Sequence, residues 1–275
     1  MTHARWWGSL LLVMFVQTSG PATAQTPATE LTTGANIPLA AGATLELRAV
    51  NGEASFLKAP GDQVVVEFAR AVPADVRIVT LMTAQGVTIC TVYASSDPKK
   101  PTECLPDGKG RLAAGKIKDQ SRVQFRIRVP PGVQVKATID QGDLKCIGIT
   151  GNLQFYSNNG YVLVHDAGGP GTNDAGTGLL GDVDAVIAKE QNGPGLRRVR
   201  LRTIGSGRVR VAMPTTVGAG FNVSTQRAAA IDPVFRVEKL TPPLLNGHVG
   251  PAGDTQVQLD VDTGIAGQFV MLPAK

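Results

Sequence analysis

Val135-Lys-Ala-Thr-Ile-Asp-Gln-Gly-Asp-Leu-Lys-Cys146 and Leu153-Gln-Phe-Tyr-Ser-Asn-Asn-Gly-Tyr-Val-Leu-Val164 are written to one pattern: apolar–polar alternation, a break at glycine, then alternation again. Period-two alternation places successive side chains on opposite faces of a strand, so each half of the pattern reads as a half-buried strand. Leu45-Glu-Leu-Arg-Ala-Val-Asn-Gly-Glu-Ala-Ser-Phe56 repeats it, and Val257-Gln-Leu-Asp-Val261 ahead of Thr263-Gly264 restates it near the C-terminus. Gly142, Gly160 and Gly178 lie 18 residues apart, which predicts three consecutive rungs over 133–150, 151–168 and 169–186. In the third, Gly169-Pro-Gly-Thr-Asn-Asp-Ala-Gly176 displaces the apolar positions, so its first half is expected as a corner loop, with a strand only near Leu180 and Val183.

Short strands with glycine corners bury their apolar sides only by stacking on their neighbours. The expected fold is therefore all-β, a single-domain β-solenoid resembling a parallel β-helix. The alternative is a β-sandwich of hairpins, because Asn51-Gly52 and Asn159-Gly160 are also good two-residue hairpin turns.

Outward from these rungs, further strands are expected around 43–50, 53–58, 63–70, 76–83, 86–93 and 123–129, and later at 199–203, 208–211, 221–225 and 235–237. Residues 94–120 break the pattern with Lys99-Lys100-Pro101, Pro106-Asp107-Gly108 and a Gly-Lys series, and read as a long exposed loop insertion. Glycine is abundant, with 32 residues, and aromatics make up 5% of the chain; this suits short strands and tight turns better than helices.

The N-terminus reads as an export signal. Arg5 precedes an apolar stretch from Leu10 to Val16 and a small-residue site at Ala22-Thr23-Ala24, so residues 1–24 are expected to be a signal peptide. That stretch is shorter than the run of about 20 residues needed to span a bilayer. Residues 25–42 then form a polar leader and 43–275 the all-β domain. Without residues 1–24, which carry Arg5 and no acid, the formal charge falls from +5 to +4. Export brings an oxidising compartment, where two of the three cysteines are expected to pair. Cys90 and Cys104 flank a turn-rich segment and are the preferred pair, while Cys146 takes an inward position as a small buried residue.

No catalytic constellation emerges. Beyond residue 24 only His165 and His248 remain as histidines, and Gly-x-Ser-x-Gly is absent. Asp166, Asp174, Asp182 and Asp184 stand in glycine-rich sequence of the type that builds calcium sites. The nonapeptide-like stretch occurs once, however, with Asn173 where an aspartate is wanted, so these acids read first as turn-formers. Neither a metal nor another cofactor is expected.

The clearest surface signal is cationic. Arg200 and Arg202 share one face of their strand, as do Arg208 and Arg210 on the next, with Arg126 and Arg128 repeating the arrangement earlier. If the two later strands are neighbours, four guanidinium groups cluster into a site for carboxylate, sulfate or phosphate. No aromatics interleave with these arginines, which argues against nucleic acid and leaves acidic polysaccharide or an anionic envelope surface as the expected partner.

Val129-Pro-Pro-Gly-Val133, the units ending at Gly142 and Gly160, Gly86-Val-Thr-Ile-Cys-Thr-Val-Tyr93 and Ser206-Gly-Arg-Val-Arg-Val-Ala-Met-Pro214 together resemble the bacterial "putative adhesin" domains of unknown function. The resemblance runs from about Thr44 to the C-terminus; residues 94–120 and 169–178 depart from it. It implies an exported or envelope-associated β-solenoid with a non-enzymatic, adhesion-like or structural role, and brings no catalytic residues. The alternative function is a carbohydrate-active β-helix enzyme, a polysaccharide lyase or hydrolase, using acids such as Asp182 and Asp184.

Overall fold

A computed structural model describes residues 28–95, 97–187, 196–227, 229–235, 239–241, 244–249 and 257–274. The expected signal peptide, and most of the strand expected at 235–237, lie outside the described residues. Among those described, the chain is all-β: twenty strands form one large curled sheet, and a 3-10 turn at Asp119–Ser121 is the one helical element. No helix among them is long and apolar enough to cross a membrane.

The glycine-centred stretches do not fold back as hairpins. Thr44–Lys58 is one strand running through Asn51-Gly52, and it pairs in parallel along Gln134–Ile147, with Leu45 beside Val135 and Ala54 beside Leu144. Gln134–Ile147 in turn pairs in parallel with Leu153–Asn159 through Val135 and Leu153, and with Val162–His165 through Leu144 and Val162. Here the offset is the 18 residues read from the sequence.

Each glycine corner thus divides a rung between two runs of strands. Along the first run, Leu153–Asn159 is followed by Gly171–Leu180, Arg197–Thr203, Val257–Asp262 and Ala219–Ser224, all in parallel. Along the second, Val162–His165 is followed by Val183–Val186, Arg208–Met213, Gln268–Pro273 and Ala229–Ile231. The C-terminal segment is therefore inserted: Val257–Asp262 slips between Arg197–Thr203 and Ala219–Ser224, although the latter precedes it in the chain. Antiparallel strands finish both ends, Thr29–Leu31 on Val76–Thr83 at one and Leu244–Val249 on Ala219–Ser224 at the other. Part of the polar leader is drawn into the sheet in this way, with Ala35–Pro38 pairing to Gln63–Phe68.

Inward residues from both runs share one continuous core. Phe56 from the second run meets Phe155 from the first edge-on, their ring centroids 5.1 Å apart. Such a pair is worth about 0.5–1.5 kcal/mol beyond its buried area.

The corner itself explains the glycines. A Cβ on Gly142, whose φ is +135°, would overlap the carbonyl oxygen of Gly52 on the preceding rung. The same overlap continues up the stack, Gly160 on Gly142, Gly181 on Gly160 and Gly207 on Gly181. The third corner is therefore Gly181 rather than Gly178. Two extra residues enter ahead of this strand, where Gln154 is level with Asp174 at an offset of 20, and a register shift between Thr177 and Leu180 adds one more, which moves the corner along the chain. At the C-terminal end the column is continued by Gly267 beside Gly207, while Gly264 turns the chain earlier in the same bend.

The first half of the third rung also differs from the expected corner loop. Gly171–Leu180 is a ten-residue strand paired on both sides. Its inward positions are small or polar, Asn173, Ala175 and Thr177, and all three are buried. Asn173 is tolerated there because its side-chain oxygen accepts from the Leu153 amide at 3.1 Å and its amide group donates to the Gly169 carbonyl at 3.0 Å.

Residues 94–120 are exposed along much of their length, yet they are anchored to the sheet. The Cys90–Cys104 disulfide forms as expected. Glu46, an outward residue of its strand, is only 5% exposed. Its carboxylate accepts from the Asp107 amide at 2.9 Å, the Gly108 amide at 3.0 Å and the Thr88 hydroxyl at 2.9 Å. Arg48 beside it donates to the carbonyls of Leu105 at 2.8 Å and Gly110 at 3.1 Å. The loop covers the outer face of the first rung, so both faces of Gly86–Tyr93 are buried.

Two outcomes follow. Gly142→Ala should lower stability by roughly 3 kcal/mol or more, because backbone must move to admit the Cβ, whereas Gly61→Ala, which meets open space, should lie within about 0.5 kcal/mol of wild type in chemical denaturation. Reducing Cys90–Cys104 should cost about 2–4 kcal/mol and strip hydrogen-exchange protection from the Asp107 and Gly108 amides, which Glu46 holds.

Candidate functional site

Outward positions are the ones the core leaves available, and the arginines occupy them. Arg198, Arg200 and Arg202 are exposed along Arg197–Thr203, and Arg208 begins the strand that follows the next corner. The expected four-guanidinium cluster does not form. Arg197–Thr203 lies between Gly171–Leu180 and Val257–Asp262, whereas Arg208–Met213 lies between Val183–Val186 and Gln268–Pro273. The two strands succeed each other around a bend instead of pairing, so Arg200 and Arg202 face one side of the molecule and Arg208 and Arg210 another. Arg126 and Arg128 sit on a separate strand, where Arg128 pairs with Glu67 at 3.1 Å.

On the second run the cations are matched by carboxylates in register. Asp184 accepts from Tyr161 Oη at 2.8 Å and pairs with Arg210 at 3.1 Å. Asp182 accepts from the backbone amide of Arg208 at 2.7 Å. Burial, with the hydrogen bond and charge of Asp184 behind it, pushes the Tyr161 hydroxyl well above the ordinary phenol range. Asp166 occupies a turn with φ +48°, and Asp174 lies on the other run, so the four aspartates singled out in the sequence are not brought together. Among the described residues, no group of three or more His, Cys, Asp or Glu side chains is placed to hold a metal ion. His165 lies outward, its Nε2 3.7 Å from Asp166.

The first run carries an open groove of about 280 Å³. Its polar walls are Lys136, Gln154, Tyr156, Asp174, Arg200 and Arg202, contributed by four successive strands. Register makes the groove: Tyr156 is level with Gly176, and Gly176 with Arg202, so the strand between the ring-bearing and the guanidinium-bearing residue carries no side chain at that level. Asp174 is level with Arg200 in the same way. No ion pair or hydrogen bond engages the Arg200 or Arg202 guanidinium among the described residues, and Oδ1 of Asp174 is buried without a hydrogen-bond partner. Lys136, by contrast, is paired with Glu46 at 3.5 Å. Sequence reasoning found Arg200 and Arg202, read Asp174 only as one of four turn-forming acids, and missed Tyr156 and Gln154, because the meeting of these residues depends on the shifted register of the third rung.

A buried polar group was also missed. Arg197 faces inward and is only 4% exposed. Burial lowers its guanidinium pKa to about 10, opposed by Asp166 and Cys146. Cys146 is a free thiol with no exposure, as expected for an inward position, and burial pushes its thiol pKa up. Parity carried the signal for Arg197: it precedes the inward Val199, Leu201 and Thr203 by one strand period.

No family model matches the sequence, and none of the curated proteins matches it. Among solved structures, the chain is similar to a crystal structure described as a "putative cell adhesion protein" from Clostridium sporogenes ATCC 15579. The two share 9% identity over 91% of this chain and 100% of that one, with a TM-score of 0.48.

Asp184→Asn should bring the Tyr161 hydroxyl down towards the ordinary phenol value, since the charged acceptor that opposes phenolate formation is removed. Phenolate absorbance during alkaline titration reads this directly, with Tyr161→Phe identifying the phase, and Tyr93, held up to about 12 chiefly by burial, should not move.

Proposed function

We propose that the protein is an exported, envelope-associated binding protein, built as a β-solenoid and acting without catalysis. Its parallel rungs form a support, and its outward residues hold an anionic polysaccharide or another anionic envelope component in an adhesion-like role. The observation that carries this reading is the pair of guanidinium groups at Arg200 and Arg202, exposed over an open groove and engaged by no carboxylate among the described residues. Arginine's planar fork suits carboxylate, sulfate and phosphate, and on an open face its attraction is screened by salt. The Cys90–Cys104 disulfide and the signal-like residues 1–24 support export into an oxidising compartment. Of the acids named for a hydrolase or lyase, Asp184 holds Tyr161 and Arg210 through Oδ2 and Asp182 holds the Arg208 amide, both on the second run and outside the groove.

Fractionation of cells producing the native chain should place it outside the cytoplasm. Purified protein should be retained on an immobilised anionic polymer at low salt and released as salt rises. Arg200→Ala with Arg202→Ala should weaken that retention about tenfold or more, while Arg210→Ala, on the other face, should leave it in place. Equal retention of the Arg200/Arg202 variant and the wild type would contradict the reading.

A further inference from the structure

We infer that the groove over Gly176 is a site for a carboxylated sugar, a uronate unit of an acidic polysaccharide, and that its selectivity comes from Tyr156 and Asp174 as much as from the arginines. The inference rests on the anionic-polymer reading above and names the ligand of that same face.

The geometry sets the chemistry. Tyr156 and Arg202 lie two strand spacings apart, about 9.6 Å, with Gly176 level between them. A side chain at 176 would fill that interval, and its Cβ would already stand 3.0 Å from the Arg202 carbonyl oxygen. Tyr156 leans along the sheet until its hydroxyl stands 2.6 Å from the place of a Cβ on Gly178, so the bare glycines at 176 and 178 leave room for its ring, and ring and Arg202 guanidinium together line a shallow slot. At about 280 Å³ the groove has the size of a small ligand site.

Two kinds of polar group face the slot with their capacity unused. Arg200 and Arg202 offer donors without an acceptor, and the carboxylate of Asp174, which lines the groove, accepts no hydrogen bond among the described residues. A simple anion with no proton to donate, such as sulfate, satisfies the first and is repelled by the second. A neutral sugar satisfies Asp174 through a hydroxyl and leaves the arginines unmatched. A sugar acid answers both: its carboxylate takes the guanidinium fork, a ring hydroxyl donates to Asp174, and its C–H face lies against Tyr156. A sugar acid brings a donor to the Asp174 carboxylate and a sulfate does not, which discriminates among anions of equal charge.

Calorimetric titration with oligogalacturonate, the same oligomer with its carboxyl groups reduced, and polyvinyl sulfate, which has neither sugar rings nor hydroxyls, separates these terms. The wild type should bind oligogalacturonate at least about tenfold more tightly than either of the others. Arg202→Ala should weaken both anionic polymers. Asp174→Asn and Tyr156→Ala should weaken oligogalacturonate alone, and Asp174→Asn should tighten polyvinyl sulfate, since it removes a negative charge from the slot. Tyr156→Phe should keep near-wild-type affinity, and circular dichroism with thermal unfolding verifies that each variant is folded. Oligogalacturonate affinity unchanged by Asp174→Asn and Tyr156→Ala, or matched by polyvinyl sulfate, overturns this inference and leaves the broader anionic-polymer reading standing, whereas affinity matched by the reduced oligomer overturns both. Failure of the wild type to bind either anionic polymer overturns both.

Discussion

The constraint on which the structure depends is the contact at each corner, where the carbonyl oxygen of one glycine occupies the space a Cβ would need on the glycine stacked above it. Gly52, Gly142, Gly160, Gly181 and Gly207 form one such column. Backbone atoms that approach this closely fix the height of each rung, and the height fixes register. Register, because strand side chains alternate with period two, decides which face every following residue takes. Hydrophobic burial supplies the driving force through a core shared by both runs, but the corner decides which residues that core receives.

A consequence appears in the third rung. With its corner at Gly181, the strand Gly171–Leu180 runs before it, Asn173, Ala175 and Thr177 turn inward, and Asp174 and Gly176 turn outward. The outward pair builds the groove, since Gly176 leaves room for the Tyr156 ring and Asp174 comes level with Arg200. The inward pair of Asn173 and Arg197 places polar groups in an otherwise apolar interior; Asn173 is satisfied by backbone, while Arg197 Nε has no partner among the described residues.

Much of the fold was legible because the amphipathic strands alternate clearly. Val123–Val129 reads in the sequence as it stands in the structure, and the first two glycine-centred rungs stack with the offset their spacing implies. What escaped the sequence has physical causes. Gly171–Leu180 lacks the apolar residues that mark a strand, since Asn173 substitutes hydrogen bonds for hydrophobic contact. The anchoring of residues 94–120 depends on Glu46 and Arg48, outward residues whose burial comes from a segment some 60 positions away in the chain. The arginines were found by parity, but whether their strands were neighbours turned on pairing across rungs, including the insertion of Val257–Asp262 ahead of an earlier strand.

The register of the third rung is the most direct test, because the corner, the inward polar residues and the groove all follow from it. Parallel neighbours on one face sit close enough for a disulfide. With Cys90 and Cys104 left paired and Cys146 buried, Gln154→Cys combined with Asp174→Cys should cross-link readily under mild oxidation, the two positions being level in the sheet. Gln154→Cys combined with Thr172→Cys, the pair that an unbroken 18-residue repeat would bring level, should remain reduced. Efficient cross-linking of 154 to 172 with none to 174 would contradict the account.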